Sequence, residues 1–103
     1  MMFTPKFQNE QTERLVQAML ALETPEEVYR FLEDILTIQE FKSIAQRLDV
    51  AVLLREGVTY QEIVRRTGAS TATIGRVNRT LQYGAEGYSA VLDRISPDET
   101  QQI

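Results

Sequence analysis

Residues 59–81 read Thr59-Tyr60-Gln61-Glu62-Ile63-Val64-Arg65-Arg66-Thr67-Gly68-Ala69-Ser70-Thr71-Ala72-Thr73-Ile74-Gly75-Arg76-Val77-Asn78-Arg79-Thr80-Leu81. Ile63 and Val64 stand five and four residues before Gly68, while Ala69, Ile74, Val77 and Leu81 follow it. Recurrence at three and four predicts two short helices that cross at a glycine turn and bury these apolar positions against each other. Ser70 is a good N-cap for the second helix, because its hydroxyl can accept one of the backbone N–H groups that a helix start leaves unpaired. Between the apolar positions fall Ser70, Thr71, Ala72, Gly75, Arg76 and Arg79, all small, polar or cationic, which assigns them to the outward flank.

That flank fits a groove. Short side chains let a helix backbone approach base edges, Thr and Ala methyls can meet a thymine methyl, and a guanidinium can donate to guanine or to phosphate. The candidate DNA-binding residues are therefore Thr59, Gln61, Arg65, Ser70, Thr71, Ala72, Thr73, Gly75, Arg76 and Arg79. Helical hairpins with a glycine turn also occur in proteins that bind no nucleic acid. The alternative from the same residues is a helical protein-interaction module that does not bind DNA.

Charge bears on the choice. The chain carries a net charge of −4, which opposes nucleic-acid binding in general. Its distribution answers in part: residues 1–54 hold 5 basic and 9 acidic side chains, residues 55–81 hold 5 and 2, and residues 82–103 hold 1 and 4. The basic segment is the one with the hairpin.

Outward from it the pattern is helical throughout, an all-α chain of one domain spanning 1–103. A first helix is expected from about Asn9 to Leu22, with Leu15, Ala18, Met19 and Leu22 on one stripe. Thr24-Pro25-Glu26-Glu27 marks a second start, with Thr24 as cap, Pro25 at the first helical position and Glu27 reaching back to the cap. Val28, Phe31, Leu32 and Ile35 form its expected buried stripe. The same Thr-x-x-Glu device recurs at Thr37–Glu40 and Thr59–Glu62. The third helix, about Ile38 to Arg55, carries Phe41, Ile44, Ala45, Leu48, Ala51 and Val52 on one side, and Val50, Leu53 and Leu54 elsewhere. A helix apolar nearly all round must be covered on several sides, either as the central core helix of one chain or by a second subunit; both together are expected, with subunits paired through the helices of residues 9–55, and the alternative is a compact monomer that shields the third helix itself. A last helix, about Tyr88 to Ile95, precedes a polar tail, 96–103, expected to fray.

The chain has no cysteine and no histidine, which removes disulfides, Cys/His zinc sites, thiol nucleophiles and imidazole bases; no metal site and no enzyme is expected. The start lacks an apolar secretory signal, and the longest apolar run, Val50–Leu54, is far short of the ~18 residues that span a bilayer. No membrane association and a cytoplasmic location are expected.

Gln46-Arg47-Leu48-Asp49-Val50-Ala51, Thr59–Ile63 and above all Thr67–Arg79, with its Gly-Ala-x-x-Ala-Thr-Ile-x-Arg core, resemble the Trp repressor superfamily, most closely its Trp-repressor-related YerC/YecD-type branch in Gram-positive bacteria. The resemblance spans about Leu22 to Leu92. It implies a six-helix Trp-repressor-like fold in an intertwined homodimer and a transcriptional regulator, a repressor, that places two recognition helices in successive major grooves of a pseudo-palindromic operator. In that family a corepressor indole lies between two arginines. Arg47 and Arg76 match them, the first across a one-residue gap, which makes Arg47, Arg76 and Val77 the candidate effector-binding residues. No cofactor is required. A small-molecule corepressor stays open, but the family glycine after the second arginine is Val77 here, whose branched carbons argue against L-tryptophan.

Overall fold

The computed structural model describes residues 3–95 as six α-helices, with no strand among the described residues. In chain order they are α1 (Glu10–Leu20), α2 (Pro25–Ile35), α3 (Ile38–Arg55), α4 (Tyr60–Thr67), α5 (Thr71–Tyr83) and α6 (Gly87–Arg94). The expected tail, 96–103, lies outside the described residues. The chain divides into two compact units, one ending at Ile38 and one beginning at Gln39.

In the first unit α1 is one residue shorter at its start and two at its end than the sequence predicts. Asn9 is the cap rather than the first helical residue: its side chain accepts the Thr12 N–H at 2.9 Å, and Thr12 Oγ1 accepts the Asn9 N–H at 2.8 Å. This is a capping box with threonine in the place of glutamate. In α2, Thr24 caps as predicted, accepting the Glu27 N–H at 3.1 Å. Glu27 reaches back one residue further than predicted, its Oε1 accepting the Glu23 N–H at 2.8 Å. Neither helix has a fully buried side chain. The stripes read as buried are at best half-buried: Ala18, Leu22, Phe31 and Leu32 reach that level, while Leu15, Met19, Val28 and Ile35 are exposed.

The second unit holds the core. Val50, Ala51 and Leu53 of α3, Ile63 of α4, Ala69 in the turn after it, Ile74 and Val77 of α5, and Leu92 of α6 form one buried cluster, with Val52, Leu54, Val58, Val64, Leu81 and Tyr88 half-buried against it. The cluster contains no polar or charged residue. This corrects the predicted facing of α3: Ile44, Ala45 and Leu48 are exposed, and the residues assigned elsewhere, Val50 and Leu53, line the core.

Each joint in this unit has a local cause. At the end of α3, Gly57 takes φ +81, its N–H bonds the Leu54 carbonyl and the Val58 N–H bonds the Leu53 carbonyl, both at 3.1 Å. That is a Schellman turn, which satisfies carbonyls that the helix end would orphan and folds Val58 onto the core. Arg55 then ties α3 to α6, its Nη2 on Asp93 Oδ1 at 2.7 Å and its Nη1 on the Ser89 carbonyl at 3.5 Å.

Candidate nucleic-acid interface

The helix pair α4–α5 is built as its residues dictate. Thr59 caps α4 by accepting the Glu62 N–H at 3.3 Å. The helix ends at Gly68, which sits at φ +75, a left-handed conformation that costs a side-chain-bearing residue roughly 1–2 kcal/mol. Thr67 reinforces the turn: its hydroxyl donates to the Ile63 carbonyl at 2.7 Å and accepts the Ala69 N–H at 3.1 Å. From α3, Gln46 Nε2 donates to the Thr67 carbonyl at 3.2 Å, satisfying an acceptor the helix end leaves open. Ser70 caps α5, accepting the Thr73 N–H at 3.1 Å and donating to Thr73 Oγ1 at 3.1 Å.

The result is a two-sided α5. On one flank Ile74 and Val77 are 0 and 1% exposed, and Ala69 just before the helix is 2% exposed. On the other, Ser70, Thr71, Ala72, Arg76 and Arg79 are exposed. Gly75 is half-buried, and a Cβ built there would meet nothing within 4 Å, so that flank is open along its length. Of the remaining sequence candidates, Gln61 and Arg65 are exposed on α4, Thr59 is an exposed cap, and Thr73 is half-buried with both its N–H and hydroxyl engaged by Ser70.

The cations divide into held and unheld. Arg55 is taken by Asp93. Glu62 Oε1 accepts Arg65 Nε at 2.9 Å, while its Oε2 accepts both Arg65 Nη2 and, at 3.0 Å, Arg66 Nε. These bonds, Arg65 first and then Arg66, pull the Glu62 carboxyl from its ordinary 4.5 down to about 2, and the same contact raises Arg65. Arg76 and Arg79 make no ion pair among the described residues.

Of the three candidate effector residues, Arg47 and Arg76 are exposed, whereas Val77 is buried as a member of the apolar core cluster. Sequence reasoning missed two features here. The Glu62 clamp was signalled by its spacing of three and four to Arg65 and Arg66. The bond from Asn78 Nδ2 to Tyr60 Oη, 3.2 Å long, links α5 to α4 across eighteen residues with no local signal.

Comparison with known proteins points one way. The family model for the Trp repressor protein matches residues 10–96. The uncharacterised Bacillus subtilis (strain 168) protein YerC is 49% identical over 96 residues, covering 93% of this chain and 92% of that one. A crystal structure of a TrpR-like protein from Eubacterium eligens is similar at TM-score 0.81 and 51% identity, over 84% of this chain and 89% of the other. So is that of a Trp-repressor candidate from Staphylococcus aureus, at TM-score 0.82 and 45% identity, over 84% and 87%.

Proposed function

Because this chain belongs to the Trp repressor family, we propose that it is a sequence-specific DNA-binding transcriptional regulator, a repressor that acts on cytoplasmic DNA as a homodimer. The observation that carries the reading is the division of α5 into a flank locked into an apolar core and a flank of short and cationic side chains open to solvent. In this reading α5 enters the major groove; Thr71, Ala72, Arg76 and Arg79 meet base edges or phosphate; and the cap residues Thr59 and Ser70, with Gln61, lie at the backbone.

The homodimer is supported by what residues 3–48 leave uncovered. Leu15, Val16, Met19 and Leu20 on α1, Val28, Tyr29 and Ile35 on α2, and Ile38, Ile44 and Leu48 on α3 are all exposed in the single chain. A soluble monomer rarely exposes so much apolar surface, and a second copy offers the same surface in return. Two recognition helices about 34 Å apart would then select a pseudo-palindromic operator. Arg47 and Arg76 are open to a small anionic effector or to phosphate; Val77 takes no part.

Selection of bound duplexes from a random pool, with and without candidate amino acids, tests all of this together. Enrichment of a two-fold-related site that tightens as salt falls, and a loss of about 1–3 kcal/mol for Arg76→Ala or Arg79→Ala, supports the reading. No affinity for any duplex above background at low salt, with a nuclease-resistant protein partner instead, refutes it.

A further inference from the structure

Among the described residues, the clamp on α4 has no counterpart on α5. Glu62 lies three residues before Arg65 and four before Arg66, so one carboxylate reaches both guanidinium groups from the same helix face. Its two oxygens take Nε and Nη2 of Arg65, the fork with which an arginine otherwise grips a phosphate, and Nε of Arg66 as well. The three side chains are 33, 70 and 47% exposed, so phosphate oxygens can compete for these donors, but only by displacing a carboxylate that stays beside them.

Resting on the DNA-binding reading above, we propose that Glu62 is a specificity-determining residue: by holding Arg65 and Arg66 it withholds two cations from the phosphate backbone and so suppresses sequence-independent binding. Phosphate contacts strengthen binding to every duplex alike, whereas base contacts strengthen it only at the operator. A regulator is judged by the ratio of the two, because non-specific sites vastly outnumber its own. Holding the α4 arginines while leaving Arg76 and Arg79 without a carboxylate partner among the described residues lowers the background and spares the helix that reads bases. An exposed ion pair contributes little to folding, so the clamp acts on competition for phosphate far more than on stability.

The test is Glu62→Gln in the full chain, with anisotropy titrations of a selected operator and a scrambled duplex from about 50 to 200 mM salt. Glu56→Gln is the control: it removes the same charge from the same basic segment without freeing a clamped arginine. The scrambled duplex should bind Glu62→Gln about tenfold tighter at low salt, with the log–log salt slope steeper by about 1 to 2, near 0.9 per phosphate gained, and the operator-to-scrambled ratio should fall. Glu56→Gln should leave the slope unchanged, and Glu62→Gln added to Arg65→Gln/Arg66→Gln should do nothing more. An unchanged slope and ratio, or the same effect without the two arginines, overturns the proposal. Should Glu62→Gln fold poorly by circular dichroism, Arg65→Gln/Arg66→Gln with Glu62 in place decides: a small effect supports the clamp, and a loss as large as that of Arg76→Ala overturns it. A wild-type chain that binds no duplex refutes the DNA reading and this one together; selective wild-type binding with the failures above refutes only this one.

Discussion

Replacing Ile74 with alanine removes three carbons from a side chain with no exposed surface, in a cluster with no polar member. At about 0.8 kcal/mol per buried methylene, the transfer loss alone is about 2.4 kcal/mol. The neighbours Val50, Ile63 and Val77 are themselves fixed on three different helices and close the void only partly, so a cavity contribution brings the cost to about 3–4 kcal/mol. Two residues along, Arg76→Ala removes an exposed side chain with no ion pair among the described residues, and its cost should stay within about 0.5 kcal/mol. Urea unfolding followed by circular dichroism, at one fixed protomer concentration, measures both; with a slope of about 1.5 kcal/mol per molar, Ile74→Ala should lower the midpoint by about 2–2.7 M. Operator affinity under folding conditions should rank the two in the opposite order. If Ile74→Ala costs under about 1 kcal/mol, or Arg76→Ala costs as much as Ile74→Ala, the division of α5 into a packed and an open flank is wrong.

Gly68→Ala should destabilise by about 1–2 kcal/mol through backbone strain alone, since at φ +75 an added Cβ meets nothing within 4 Å; thermal melts that place it level with wild type would remove the turn argument. Because Arg65 and Arg66 hold the Glu62 carboxyl at about 2 against an ordinary 4.5, its side-chain carbon followed by NMR should stay in the carboxylate form as pH falls below 4, and an ordinary carboxylate midpoint would discount the clamp; what the exposed pair adds to stability is small, present above about pH 4.5 and lost toward 2. Arg55→Ala should cost only about 0.5 kcal/mol globally, yet speed amide exchange in α6 first; uniform change across the helices would show that Asp93 and Ser89 do not anchor that helix.

The parts of this architecture legible in the sequence are those with local causes. The bounds of α3 agree residue for residue, and its end has a cause written beside it, the left-handed Gly57 that follows Glu56. The motif was equally readable: Thr59, Gly68 and Ser70 act where their backbone preferences predict, and Ile63, Ala69, Ile74 and Val77 are buried as their spacing requires. The facing of α3 was not legible. A helix with apolar residues nearly all round has no single stripe, so nothing local could choose Val50 and Leu53 over Ile44 and Leu48. Val77 shows two arguments in conflict: alignment with a family glycine put it beside an effector, whereas its three-residue spacing from Ile74 put it inside, and the packing follows the spacing. The Arg55–Asp93 pair joins residues 38 apart, beyond any local pattern.

Eleven residues each, α1 and α2 are shorter than the ~12–15 at which a lone helix holds its shape in water, and neither has a side chain of its own sealed from solvent. If a second copy covers them, as proposed above, their order becomes a matter of mass action: dilution should melt these two helices while the Gln39–Ile95 portion, which holds the core, keeps its form. On the proposed dimeric, DNA-binding reading, the abundance of the protein in the cell would then set not only how many sites are filled but how much of each molecule is folded.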